Sequence, residues 1–132
     1  MNIIIDASAI IAVLVNESVR PALIAQTVGA TLLAPSSIPW EIGNAFSAML
    51  KRKRITLAKA VLALEAYRDI PLRLLDVDLE RALTFADQLN IYAYDAYLIT
   101  CAIDNRCPLL TLDGGLQHAA QVAGVTTLKV QP

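Results

Sequence analysis

The sequence predicts an α/β domain, a three-layer α/β/α sandwich around a central five-stranded parallel sheet, on three observations. Strand-like apolar runs alternate with segments of helical period along the whole chain. The first run, Ile3-Ile4-Ile5, is continuously apolar, the pattern of a strand buried on both faces in the middle of a parallel sheet. No polar linker, repeat or low-complexity tract interrupts the alternation, and 132 residues suit a single domain over 1–132 with a sizeable core. Parallel strands imply right-handed crossovers, which put helices on both faces.

Each expected element has a local cause. The first strand ends at Asp6; residues 7–15 are apolar with Ser8 near the start and read as a short buried helix, broken by Asn16-Glu17-Ser18. Ser18 is placed to cap a helix over 19–28, and Gly29 to stop it. Thr31-Leu32-Leu33-Ala34 is a strand closed by Pro35. Ser36 or Ser37 caps the next helix, which carries Pro39 and Glu41 in its first turns and runs to Lys51-Arg52-Lys53-Arg54. Thr56 caps a helix reaching about residue 69, and Pro71 separates it from a strand over 72–77. A helix over 79–89, a loop over 90–94 and a helix opening at Asp95 and running to about 105 come next. A strand over 108–112, a helix over 114–123 stopped by Gly124, and a closing strand over 125–130 complete the pattern.

Composition narrows the function classes. The chain is 56% hydrophobic and 17% charged, so surplus apolar surface points to a partner or a homodimer. No apolar run approaches membrane-spanning length, and neither a basic segment nor a small-residue cleavage pattern suggests a leader, so a cytoplasmic protein without a membrane role is expected. Cys101 and Cys107 have neither CxxC spacing nor an adjacent His, which argues against a disulfide framework and a zinc site. A net charge of −1 excludes a broadly basic surface that coats nucleic acid, while leaving room for a local basic patch or a bound cation to hold phosphate.

The chemistry lies in the acids. Asp6 follows the first strand, Glu41 lies in the first turns of a helix, Asp95 opens a helix, and Asp113 follows the strand Leu109-Leu110-Thr111-Leu112. In a parallel α/β fold such junctions gather at the carboxyl edge of the sheet, so these four carboxylates can converge. Asp104 lies nine residues after Asp95 on the same helix, about half a turn round at ~100° per residue, and points elsewhere. Asn44, three residues after Glu41, shares its face and could orient a carboxylate or a water. Converging carboxylates without bases repel one another, and a hard divalent cation such as Mg²⁺ or Mn²⁺ resolves the repulsion with oxygen ligands alone. Such an ion polarises a phosphodiester and acidifies a water, which points to metal-assisted hydrolysis.

Four stretches carry a resemblance: Ile5-Asp6-Ala7-Ser8-Ala9-Ile10, Pro39-Trp40-Glu41-Ile42-Gly43-Asn44-Ala45, Tyr94-Asp95-Ala96-Tyr97-Leu98-Ile99 with Ala102, and Pro108-Leu109-Leu110-Thr111-Leu112-Asp113. In this order and spacing they resemble the PIN-domain ribonucleases, specifically the VapC-type toxins of toxin–antitoxin pairs. The resemblance implies that Asp6, Glu41, Asp95 and Asp113 are catalytic and metal-binding, with Ser8, Asn44 and Thr111 as polar supports. It also implies Mg²⁺ or Mn²⁺, an RNA substrate, a homodimer and a cognate antitoxin. One departure stands out: the family often has an aromatic residue soon after the last acid, where this chain has Gly114-Gly115-Leu116.

Simpler readings stand beside these. Asp95 and Asp113 could each be helix caps, and Glu41 could serve only the helix dipole. Lys51 to Arg54 could meet RNA phosphates or simply be solvated at a helix end. Tyr92, Tyr94 and Tyr97 could stack on bases or pack with their hydroxyls at a rim, and His118 reads as an ordinary residue. Two other classes compete: a catalytically silent PIN-like partner-binding domain, against which all four acids count, and a receiver-like phosphoacceptor module, which lacks its paired acids here. The apolar residues over 10–33 and 57–70 suggest a groove for an amphipathic antitoxin segment.

Overall fold

The computed structural model describes residues 1–130. Its strands are β1 (Asn2–Ile5), β2 (Thr31–Pro35), β3 (Leu72–Leu75) and β4 (Leu109–Leu110), all parallel in the order β3-β2-β1-β4. The helices are α1 (Ala7–Leu14), α2 (Arg20–Thr27), α3 (Ile38–Lys51), α4 (Leu57–Arg68), α5 (Leu79–Leu89), α6 (Ala93–Asn105) and α7 (Gly114–Val122). They cover both faces of the sheet, as expected: α6 packs across β1, β2 and β4 with α5 against it, while α1 gathers α2, α3 and α4.

β1 is an inner strand because its side chains admit nothing else. Ile3 and Ile4 are fully buried, and each contributes roughly 2 kcal/mol by leaving water. β3 is the opposite case, an edge strand whose burial pattern leaves Arg73 and Leu74 exposed. Register then fixes the site: Ile4 pairs with Leu33 and Ile5 with Leu110, so the residues after β1 and β4 emerge side by side.

The sheet has four strands among the described residues rather than the expected five. Residues 125–130 make a single parallel bridge, Thr127 to Leu109, held by hydrogen bonds from Leu109 N to Thr126 O (2.9 Å) and from Leu128 N to Leu109 O (2.9 Å). A longer ladder has nothing to pair with, because β4 is only two residues long and beyond it Thr111 O accepts from Gln117 Nε2 and Leu112 N donates to Ser8 Oγ. β3 likewise stops at Leu75 instead of running to residue 77.

Two expected helix starts also differ. Ser18 does not cap α2, which begins at Arg20 with Pro21 in its first turn and no side-chain cap. α6 begins at Ala93, two residues before Asp95, so Tyr92 occupies the cap position and Asp95 lies inside the first turn. Thr56 caps α4 through Lys59 N (3.3 Å), as its hydroxyl predicts. Cys101 and Cys107 are free and buried, and burial pushes the Cys101 thiol up to about 12. No helix among the described residues is long and apolar enough to cross a membrane.

Candidate active site

Asp6 is the hub where β1 passes into α1. It is 5% exposed, and its carboxylate accepts hydrogen bonds from Ala9 N (3.0 Å), from Ser8 Oγ (2.7 and 2.9 Å to its two oxygens) and from Thr111 Oγ1. Both hydroxyls are used twice: Ser8 Oγ accepts from Leu112 N (3.0 Å), and Thr111 Oγ1 accepts from Asp113 N (3.0 Å). Gln117 Nε2 donates to Thr111 O (3.0 Å), tying α7 to the same turn. The ends of β1 and β4 are thus stitched together through one buried carboxylate.

The other acids arrive from three different elements. Glu41, in the first turn of α3, accepts from Ser37 Oγ (3.1 Å). Ser37 therefore does not cap α3, although it holds the cap position; its hydroxyl turns to the acid one turn later. Asp113 does cap α7, accepting from Gly115 N (2.9 Å) and Leu116 N (3.1 Å) through Oδ1. Gly115 has a reason in this turn, since a Cβ there would sit 3.3 Å from that same oxygen, whereas Gly114 faces open space. Asp95 has no hydrogen-bond partner among the described residues. Capping therefore explains Asp6 and Asp113 in part, and explains neither Asp95 nor Glu41.

The electrostatics link all four. Burial raises the Asp6 carboxyl, the Thr111, Ala9 and Ser8 hydrogen bonds pull it down, and the charge of Asp113 raises it again. Burial likewise pushes Glu41 up to about 7, against the Ser37 hydrogen bond and with help from Asp6 and Asp95. Asp95 is raised by burial and by Asp113 and Asp6. Each carboxylate stands in its neighbours' field, and no ion pair neutralises any of them; the one salt bridge among the described residues is Arg81 to Asp104 (2.9 Å), on the exposed surface. Asp104 does point away, as its spacing predicts.

The donor set suits a hard cation, being all carboxylate oxygen with hydroxyl support and no basic neighbour. It is not a closed cage: among the described residues no three His, Cys, Asp or Glu side chains stand close enough together to hold an ion as they are turned here. The hydrogen bonds above give the reason, because Asp6, Glu41 and Asp113 are each turned onto a local partner.

Among the described residues none of Asn44, Lys51 to Arg54 and His118 makes a side-chain hydrogen bond or ion pair to the four acids. Asn44 is exposed, and no side-chain hydrogen bond links it to a carboxylate. Lys51 to Arg54 lie ten or more residues past Glu41 at the far end of α3, roughly 15–20 Å along its axis. His118 is exposed on α7. Sequence reasoning took Ser37 for a cap; its four-residue spacing to Glu41 was the available signal. It also passed over a recess of about 230 Å³ beside the acids, walled in part by Ser37, Trp40 and Tyr97.

A family model described as "PIN domain" matches residues 3–122. The chain belongs to the PIN-domain family. The receiver-like alternative falls with that match. Solved structures similar to this PIN domain include PAE2754 from Pyrobaculum aerophilum, 22% identical with TM-score 0.73, covering 96% of this chain and 83% of that one. The sarcin-ricin loop cleaving toxin VapC20 of Mycobacterium tuberculosis is 14% identical with TM-score 0.67, covering 98% and 99%. VapBC2 from Rickettsia felis, solved bound to a DNA fragment from its promoter, is 11% identical with TM-score 0.68, covering 99% and 100%. A search among curated protein sequences gives no match.

Proposed function

We propose that this PIN domain is a single-domain, cytoplasmic, Mg²⁺- or Mn²⁺-dependent endoribonuclease, the VapC-type toxin of a toxin–antitoxin pair. The observation that carries the reading is the set of four carboxylates from four separate elements, three of them raised by burial and by the charge of other members of the set, with no base paired to any of them. Similarity in fold to the sarcin-ricin loop cleaving toxin VapC20 and to VapBC2 supports it.

Asp6, Glu41, Asp95 and Asp113 would hold the cation, which supplies a polarised phosphodiester and an acidified water when bound. The remaining chemistry belongs to the chain. Ser8 and Thr111 hold the Asp6 carboxylate, and Ser37 holds that of Glu41, at the positions from which they would turn to a bound cation. The helix amides hold Asp113 by one oxygen, leaving the other to face outward. The Asp95 carboxylate, with no hydrogen-bond partner among the described residues, is the one that would reach the cation without giving up a local contact.

The test compares wild type with Asp6→Asn on a pool of cellular RNAs, with Mg²⁺, Mn²⁺ or chelator. Wild type is expected to cleave only with a divalent ion, and Asp6→Asn to be slower by on the order of 10²-fold or more. Equal cleavage by the two proteins, or cleavage indifferent to chelator, would sink the mechanism.

The antitoxin reading rests on a groove of about 530 Å³ between α1, α3 and α4, with Leu14, Met49, Ile55 and Leu62 on its walls and Arg54 and Lys59 at its rim. Apolar walls under a basic rim suit an amphipathic helix with acidic flanks. Leu62, 64% exposed, tolerates substitution. Leu62→Asp is expected to lose a small companion protein that co-purifies from the native cell, while RNA cleavage persists. Recovery of wild-type protein alone would count against a pair. The homodimer is proposed on the surplus apolar surface, to which exposed Leu79 and Leu83 on α5 contribute.

A further inference from the structure

The recess beside the carboxylates has no role in the reading above. Trp40 immediately precedes Glu41 on α3, Tyr97 follows Asp95 by two residues on α6, and Ser37 both walls the recess and donates to Glu41 (3.1 Å). Through Ser37, which it shares with Glu41, the recess adjoins the carboxylate cluster on its Glu41 side. We propose that this recess is a nucleobase subsite, taking the base of a nucleotide next to the scissile phosphate against the indole of Trp40. The proposal rests on the ribonuclease reading and deepens it.

Three observations select a base as the occupant. The walls combine two aromatic rings and aliphatic Val77 and Leu79 with the hydroxyls of Ser36 and Ser37, which is the mixture that a flat ring with hydrogen-bonding edges requires. At about 230 Å³ the recess is smaller than the pockets of roughly 300–1,000 Å³ that enclose larger ligands, so it suits one planar group rather than a helix or strand. No Lys or Arg lines it, and the basic run at 51–54 lies roughly 15–20 Å away along α3. A strand at the acids thus has no cationic side chain to grip its phosphates locally, and uncharged stacking is what remains to position it. Trp40, 76% exposed, leaves its indole accessible for that contact.

Trp40 is the sole tryptophan, so intrinsic fluorescence reports on this position alone. The probes are the four uncharged nucleosides in chelator and a single-stranded 2′-O-methyl RNA oligonucleotide in Mg²⁺. Saturable quenching of Trp40 by at least one nucleoside and by the oligonucleotide is expected. Trp40→Ala should weaken oligonucleotide binding roughly tenfold or more, and Trp40→Phe should restore most of it, because the ring rather than the indole N–H does the stacking. In cleavage assays the alanine variant should raise KM more than it lowers kcat. Because the side chain is exposed, both variants fold.

Absence of saturable quenching by every probe, or unchanged affinity in Trp40→Ala, overturns the subsite. So does a Trp40 signal that follows protein concentration instead of RNA, with sedimentation giving a wild-type dimer and a Trp40→Ala monomer, since that assigns the face to a second copy. The two readings fail separately. Cleavage lost in Asp6→Asn but untouched in Trp40→Ala removes the subsite and keeps the nuclease, whereas quenching without cation-dependent cleavage keeps the subsite and removes the nuclease.

Discussion

Glu41→Gln is expected to melt at a higher temperature than wild type in chelator at pH 8, and to cleave RNA slower by on the order of 10²-fold or more. The sign of the stability change follows from proton binding. The Glu41 carboxyl is raised from 4.5 to about 7 by burial and by the charges of Asp6 and Asp95, so between those values the folded chain holds a proton that the unfolded chain has lost. Its stabilising share is complete below about 4.5 and is lost as pH rises through about 7. Asp6 and Asp95 are raised too and act in the same direction.

Gln at position 41 keeps an acceptor for Ser37 and carries no charge at any pH. Its advantage over wild type should be small near pH 4.5, where Glu41 is protonated in the folded state and half protonated in the unfolded one, and should grow toward pH 8. Discounted for the partial exposure of the carboxyl, the gain is about 1 kcal/mol, or ~4 °C. Mg²⁺ should raise the melting temperature of wild type more than that of the variant. Melting curves at pH 4.5, 6, 7 and 8, in chelator and in Mg²⁺, check all of this. A variant less stable than wild type at every pH in chelator would refute the repulsion on which the site depends.

Thr111→Val should be the most destabilising conservative change in the site. The hydroxyl is fully buried, donates to Asp6 and accepts from Asp113 N, so a side chain of the same shape without it leaves a carboxylate oxygen and an amide unpaired. The cost is about 2–4 kcal/mol, or roughly 8–15 °C in melting temperature. Thr111→Ser, which retains the hydroxyl, should lose much less. Ser8→Ala should fall between them, because Ser8 is only half-buried and water can replace part of what it gives. The Thr111→Val penalty should shrink at acid pH, where a protonated Asp6 no longer needs the same support. A penalty below about 0.5 kcal/mol would mean that the hydroxyl does not hold the acid.

Much of this fold was legible because its signals are local. Ile3-Ile4-Ile5 declares an inner strand, Asp78 and Leu89 bound a helix whose ends fall where expected, and the placement of Asp6 and Asp113 follows from the strands before them. The misreadings came where a side chain chose a distant or unexpected partner. Past β4 the backbone is taken by side chains, Thr111 O by Gln117 and Leu112 N by Ser8, 104 positions away in sequence, and the ladder that a fifth strand would extend stops there. Ser37 prefers Glu41 to the amides it was placed to cap. The α6 boundary slipped because nothing polar marks Tyr92 as its start, and that slip matters, since it frees Asp95 from capping. Trp40 and Tyr97 share a wall only through tertiary packing, which no spacing in the sequence announces.

The pairing of β1 with β4 sets the order in which this molecule can be completed. Ile4 and Leu109 are register partners across more than a hundred residues, so the closure that delivers Thr111 to Asp6 spans nearly the whole chain. During synthesis the first strand leaves the ribosome early and waits, pairing first with Thr31, Leu32 and Leu33. Until the last third of the chain arrives, Asp6 lacks its Thr111 hydroxyl and the cluster lacks Asp95 and Asp113. The residues that wall the apolar groove between α1, α3 and α4 all lie before position 67, so they are synthesised ahead of Asp95 and Asp113.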